Sequence, residues 1–285
     1  MGRIKVIFIG GLTNGKIVFN YLNSNKSVDL VLSITYKDDV NKPRHINFPS
    51  SSKIIKSGTL RGLESKIINL NPDLILVAGW SEIIKNKILN IPKMGVVGFH
   101  PSKLPYDKGR SVIAWQILEG YKETALTMFY YNDIPDGGDI IAQELIKIDT
   151  NDYINDILDK VDYATKSLIK VYFPMIIKNK NPREKQNKNI GNFRRLRTEK
   201  DSIINWNSKS IEIYNLIRAI STPYPCAIGT IESETYKIFK SEIIDSYRHG
   251  KNYRPGEKIA FSQDNSIIVK TKDSFIKLTE YEKKC

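Results

Sequence analysis

Residues 4–11 read IKVIFIGG, a run in which five of the first six residues are apolar and which closes on Gly10-Gly11. An uninterrupted apolar run of that length, ended by glycines, predicts a strand buried on both faces. The stretch behind it, TNGKIVFNYLNSN, sets Ile17, Val18, Tyr21 and Leu22 at helical spacing. VDLVLSITY (28–36) predicts a second buried strand, followed by a polar stretch with turn signals at Lys42-Pro43 and Pro49-Ser50-Ser51. LRGLESKIINLNP predicts a helix stopped before Pro72, DLILVAGW (73–80) a third strand, SEIIKNKILNIP a short helix and GVVGFH a fourth strand. Strand and helix alternate through the first hundred residues, the pattern of an α/β chain with a mostly parallel sheet and right-handed crossovers. Ligands in such sheets bind outside the carboxyl ends of the strands. Gly10-Gly11, Gly79-Trp80 and His100 all fall there. The first turn is no clean dinucleotide fingerprint, because its glycines stand at 10, 11 and 15 and the second strand ends on Thr35-Tyr36 without an acid. That argues against a nicotinamide dinucleotide.

Beyond the fourth strand, SVIAWQILEGYKE (111–123) is a helical pattern ended by Gly120, and TALTMFYY (124–131) and IIAQELIKI (140–148) are strands around the turn-rich NDIPDGGD. DYINDILDKVDYATKSLIKVYFPMII predicts a long amphipathic helix, and the polar, basic KNKNPREKQNKNIGNFRR after it reads as a boundary or an exposed crossing segment. After Arg197, SKSIEIYNLIRAIS (208–221) predicts a helix with Ser208 as N-cap. Short β-type runs then follow, parted by turns such as Pro255-Gly256 and Asp264-Asn265, which predicts a small barrel-like domain. The expected division is residues 1–200 and 201–285.

With 285 residues, 41% apolar and 26% charged, the composition is that of an ordinary globular protein. No run of about 18 apolar residues is present, and the amino-terminal stretch reads as a strand rather than a signal peptide. Two cysteines, Cys226 and Cys285, give neither a disulfide framework nor metal-ligand spacing. A cytoplasmic location with no membrane partner is the simplest expectation. The formal charge of +13 is spread over nearly every segment. We read it as a general attraction for small anionic ligands rather than a nucleic-acid groove.

Chemistry concentrates in one central segment: His100-Pro101-Ser102, Leu104-Pro105, Lys108-Gly109-Arg110 and Asp136-Gly137-Gly138-Asp139. A histidine ending one strand and an aspartate in a loop after another can meet at one crevice, where the imidazole carries a proton near neutral pH and the carboxylate orients it. The residues alone leave the alternative open that His100 caps a turn and Asp136 is a solvated loop residue.

The stretch FHPSKLPYDKGRSVIAWQILEGYKETALTMFYYNDIPDGGDIIAQ closely resembles the N10-formyltetrahydrofolate-dependent formyltransferases. Those include methionyl-tRNA formyltransferase and the nucleotide-sugar N-formyltransferases. INWNSKSIEIYNLIRAISTPYPCA resembles the start of the family's carboxyl-terminal domain. The resemblance implies a Rossmann-like sheet with helices on both faces, no metal, and formyl transfer from N10-formyltetrahydrofolate to a primary amine. It implies His100 and Asp136 as the catalytic pair. It further implies a folate pocket along Trp80, Ile83, Ile84 and Lys85 and along Asp133 and Ile134, with Gly11, Leu12 and Thr13 toward the acceptor. Where the family pattern has Asn-x-His, this chain has Gly98-Phe99-His100, so one donor to the formyl oxygen is missing. A water, the Gly98 N–H or Lys108 is expected in its place, and Lys108 and Arg110 are candidate contacts for anionic substrate groups. The segment KDDVNKPRHINFPSSSK lacks a Gly-Arg-Gly-Lys-Lys-like run, which points to a nucleotide-linked amino-deoxy sugar, a 4-amino-4,6-dideoxyhexose for a lipopolysaccharide or flagellar glycan. Methionyl-tRNA is the alternative acceptor, a non-catalytic folate or nucleotide-sugar binder the second alternative, and a homodimer the expected assembly.

Overall fold

The computed structural model describes residues 2–244, 252–261 and 266–284. The turn expected at Asp264-Asn265 and the carboxyl-terminal Cys285 lie outside the described residues. By packing, the chain divides into two compact units that interleave along the sequence. The first takes Met1–Gly109, Thr124–Ile146 and Asp159–Arg194, and the second Arg110–Glu123, Lys147–Leu158 and Arg195–Cys285.

In chain order the elements up to the central segment are β1 (Ile4–Gly10), α1 (Leu12–Ser24), β2 (Val28–Thr35), β3 (Ile54–Lys56), α2 (Glu64–Leu70), β4 (Leu74–Ala78), α3 (Asn86–Leu89), β5 (Val96–His100) and β6 (Lys108–Gly109). There follow α4 (Val112–Leu118), β7 (Glu123–Tyr130), β8 (Ile140–Lys147), α5 (Ile154–Ile176) and β9 (Phe193–Arg194). The main sheet has the order β3-β2-β1-β4-β5-β7-β8, with β3 to β5 parallel and β7 antiparallel to β5. Strands covered on both faces need apolar residues at consecutive positions, and β1 shows how they are used. Ile7 and Ile9 pack with Ile75, Val77, Ile67 of α2 and Ile88 of α3. Phe8 points to the other face, its ring 5.9 Å from Phe19 of α1 and 6.1 Å from Phe48. Helices therefore cover both faces, as the sequence predicts.

The second unit holds α4, α6 (Ser210–Ile220) and a five-stranded antiparallel sheet. Its strands are β10 (Ala227–Ile231), β11 (Glu234–Ile244), β12 (Lys258–Phe261), β13 (Ile267–Lys270) and β14 (Phe275–Lys283), in the order β10-β11-β14-β13-β12. Among the described residues β10 and β12 do not pair with each other, so the sheet is open. Within α6, Arg218 is buried and its guanidinium donates to the carbonyls of Asp149 and Asp152 at 3.3 and 2.9 Å.

Two local expectations need correction. Ser208 does not cap α6: its N–H closes a turn onto the Asn205 carbonyl, and the helix starts two residues later. There Glu212 accepts from the Lys209 N–H and Asp273 from both the N–H and hydroxyl of Ser210. The helix expected over 81–92 shrinks to α3, because Glu82 is drawn away to accept from the Thr59 hydroxyl and the Leu60 N–H at 2.8 and 2.7 Å.

Gly10 marks where β1 runs close to β4. A Cβ built there would lie 2.1 Å from the Ala78 carbonyl oxygen, a backbone atom that cannot step aside. Gly10→Ala is expected to cost about 1–3 kcal/mol through overpacking. Denaturant unfolding checks this, and a stability within about 0.5 kcal/mol of the parent would refute it.

Candidate functional site

His100 ends β5, 6% exposed, directly opposite Thr127 of β7. Its Nε2 lies 2.8 Å from the carbonyl oxygen of Asp107. A carbonyl only accepts, so Nε2 carries the hydrogen, and Nδ1 is left as the nitrogen whose protonation varies. Nδ1 faces Asp136, 3.5 Å from Oδ1. That is long for a hydrogen bond but well within electrostatic reach, and catalytic contacts often tighten only when substrate is bound. Sequence placed both residues in one segment, and the fold brings them face to face.

Asp136 sits in the left-handed region, at φ 54°, in the loop between β7 and β8. Its Oδ2 accepts from the Gly109 N–H at 2.9 Å. Gln186 fixes the loop backbone by donating to the carbonyls of Asp136 and Gly138 at 2.9 and 2.7 Å. One carboxylate oxygen is thus anchored while the other stays turned to the imidazole.

The third member of this arrangement was not read from the sequence. Asp107 is 2% exposed, and its carboxylate accepts from Arg194 Nε at 2.6 Å and Asn192 Nδ2 at 2.8 Å. Asn192 returns its Oδ1 to the Asp107 N–H at 2.8 Å. The short parallel pair of β6 and β9 aligns Lys108 with Phe193 and Gly109 with Arg194. The segment read as an exposed connector therefore positions the histidine through Asp107. Thr127, Ser102 and Gln143 brace the same loop: Thr127 Oγ1 donates to the Ser102 carbonyl at 2.5 Å, and Gln143 Nε2 to the Leu104 carbonyl at 2.9 Å.

The remaining candidates separate. Lys108 is buried, its Nζ 5.7 Å from the centre of the Phe193 ring, and Arg110 is exposed in the second unit. Trp80 has one face covered by Tyr36, with centroids 4.5 Å apart and planes at 12°. Ile84 is buried in the core, while Ile83 and Lys85 border a water-sized hollow of about 30 Å³. A larger cavity of about 340 Å³ is lined by Asn86, Leu89, Asn90, Tyr131, Asn132 and Asp133. Of the expected folate residues only Asp133 borders it, with Ile134 beside it in the chain, its N–H on Asn132 Oδ1 at 3.0 Å. Gly11 and Leu12 stand at the junction of β1 and α1, and the Thr13 side chain hydrogen-bonds Asp162. Burial raises the Asp162 pKa above its ordinary value, opposed by that bond and by Arg44. No group of three or more potential metal ligands occurs among the described residues.

Residues 3–171 match the family described as Formyl transferase, and residues 197–285 the Formyl transferase, C-terminal domain. A methionyl-tRNA formyltransferase of Mycoplasma capricolum subsp. capricolum is 30% identical over 290 residues, covering 99% of this chain and 91% of that one. Among solved structures, an N-formyltransferase from Helicobacter canadensis, in complex with folinic acid and dTDP-3-aminofucose, superposes with a TM-score of 0.69 at 23% identity. That match covers 99% of this chain and all of the other. A 4-N formyltransferase from Francisella tularensis gives 0.66 at 20% identity, over 80% of this chain and 93% of that one. These two likenesses establish the fold.

Removing one partner of a buried ion pair leaves the other charge stranded. Arg194→Met is therefore expected to destabilise the protein by about 3–5 kcal/mol, measured by denaturant unfolding, through its effect on Asp107. A loss under about 1 kcal/mol would show that the pair behaves as a solvated one.

Proposed function

The chain belongs to the formyl transferase family, and we propose that it moves a formyl group from N10-formyltetrahydrofolate to the primary amine of a nucleotide-linked amino-deoxy sugar. The observation that carries this reading is the buried His100, held by the Asp107 carbonyl with Nδ1 turned to Asp136. The donor is a substrate, consumed at each turnover, and it supplies the electrophilic carbon. The 340 Å³ cavity falls in the size class of small-ligand pockets. Asn86, Asn90 and Asn132 bring amide side chains to its lining and Asp133 a carboxylate, with Tyr131 beside them.

In the reaction a bond forms between the amine nitrogen and the formyl carbon, and the bond from that carbon to N10 breaks. The amine loses a proton and N10 gains one. Nδ1 of His100 is the free position on the imidazole and Asp136 Oδ1 lies 3.5 Å from it, so the pair is placed to accept the first proton and return it. Asp107 fixes the ring rather than exchanging protons, because its carboxylate is committed to Arg194 and Asn192.

Four of the five Lys and Arg residues of the 37–56 region support a small acceptor. Arg44 is committed to Asp159 and Asp162 at 2.6 and 2.9 Å, Lys56 to Asp38 at 2.5 Å and Lys53 to Asp29 at 3.5 Å. Lys42 lies over the Tyr36 ring at 4.9 Å and donates to Ser81. A loop that grips an RNA backbone needs such cations unspent. The second reading, methionyl-tRNA as acceptor, is favoured by the named activity of the full-length relative and by the charge of +13.

Mass spectrometry of products decides between them. With N10-formyltetrahydrofolate, dTDP- and UDP-linked 3- and 4-amino sugars are expected to gain a formyl group and methionyl-tRNA is not. Formylation of the tRNA alone, with a steeply salt-dependent KM, would establish the second reading. His100→Asn and Asp136→Asn are each expected to lower kcat by about 10²–10⁴-fold, the range for a lost general acid–base group, without lowering the melting temperature. A variant with the parent's rate would remove its residue from the mechanism.

A further inference from the structure

Beside His100 the sheet leaves a gap, and one side chain from just past the neighbouring strand fills it. Gly98 is two residues before His100 on β5, so a side chain at 98 would share its face. A Cβ built on Gly98 would lie 2.5 Å from Cε1, 2.8 Å from the hydroxyl oxygen and 2.9 Å from Cζ of Tyr131. Tyr131 arrives there by register. Phe129 pairs with Gly98 across β5 and β7, and Tyr131 follows two positions later, its N–H donating to the Val96 carbonyl at 2.8 Å. Its ring stacks on Phe129, with centroids 4.9 Å apart and planes at 23°, and it packs against both neighbouring apolar clusters. The ring is thus fixed, with its hydroxyl over bare glycine backbone, and Tyr131 is among the residues that line the 340 Å³ cavity.

Of the other donors near His100, two are spent and the third is set against a ring. Nε2 of the imidazole is on the Asp107 carbonyl, the Gly109 N–H is on Asp136, and Lys108 Nζ lies by the Phe193 ring. Gly98 itself lies mid-ladder between Val77 of β4 and Phe129 of β7. No described residue hydrogen-bonds the Tyr131 hydroxyl. Burial, and then the negative charge of Asp136, push its pKa above the ordinary phenol value, so it stays an O–H donor wherever the amine acceptor is neutral.

We propose that the Tyr131 hydroxyl is the donor to the formyl oxygen as negative charge grows there, standing where a side chain at position 98 would otherwise serve. This rests on the formyl-transfer reading. It makes Tyr131, the residue that directly follows β7, a catalytic residue, and it gives Gly98 a reason: any larger residue would expel the ring that carries the donor. Neither Lys108 nor the Gly98 backbone is needed for the task.

The test is Tyr131→Phe, which removes one oxygen and keeps the ring that stacks on Phe129. Loss of a single such donor is expected to lower kcat by about 10²–10³-fold. KM for both substrates should stay within about threefold and the melting temperature should not change. A second readout uses 3-fluorotyrosine at position 131. Its ¹⁹F resonance should shift on binding a stable N10-formyl folate analogue and not on binding the same analogue without the formyl group. A Tyr131→Phe kcat within twofold of the parent, or equal ¹⁹F responses to the two analogues, would overturn the inference. If the unaltered protein formylates no amine at all, the formyl-transfer reading falls first, and the two failures are thereby distinguished.

Discussion

The site depends on one backbone carbonyl. Asp107 offers its carbonyl to Nε2 of His100, and since that oxygen can only accept, the imidazole is held in a single tautomer with Nδ1 toward Asp136. The carbonyl is in place because the carboxylate of the same residue is buried and clasped by Arg194 and Asn192. Side chain and main chain of one aspartate so perform separate tasks: the first anchors a loop and the second aims a ring. Desolvating a carboxylate is costly, and the guanidinium and amide partners offset that cost. A loop left to itself would not hold a histidine to a fixed orientation.

Around that carbonyl, polar contacts converge from distant parts of the chain. Gln186 ties down the Asp136 loop and Gln143 the 101–107 loop, while the Gly109 N–H occupies one oxygen of Asp136. The parallel strands supply the floor. His100 closes β5, and the rest of the site stands on β7, which runs antiparallel to β5, and on the separate two-residue parallel pair of β6 with β9. Positional precision at a reacting centre calls for such a braced surround.

What the sequence made legible follows from what leaves a local signature. β1, β2, β4 and β5 are mostly apolar runs because both faces are covered, and a run of that kind is visible without any partner. His100 and Asp136 are left open by the residues alone, and it is the resemblance of the long stretch around them to the formyltransferases that singles them out. Arg194 and Asn192 had no such mark, since each sits in a lysine- and asparagine-rich stretch that reads as solvated surface. Their partner, Asp107, lies more than eighty positions away. Tyr131 closes FYY at the end of a strand and reads as core; only the register of β7 on β5 puts its hydroxyl over Gly98. Trp80 is read from its place at a strand's carboxyl end, and only the fold shows that Tyr36 stacks on one of its two faces.

The interleaving of the two compact units bears on inheritance. The second family match begins at residue 197, as though the carboxyl-terminal part were a detachable cassette. Yet its unit also claims Arg110–Glu123 and Lys147–Leu158. Helix α6 packs on α4, and Arg218 of α6 donates to carbonyls at Asp149 and Asp152. A genetic exchange at residue 197 would deliver α6 to foreign versions of all three partners. Only the three separated stretches taken together carry the second unit, so a cut at residue 197 parts α6 from contacts that its own unit supplies.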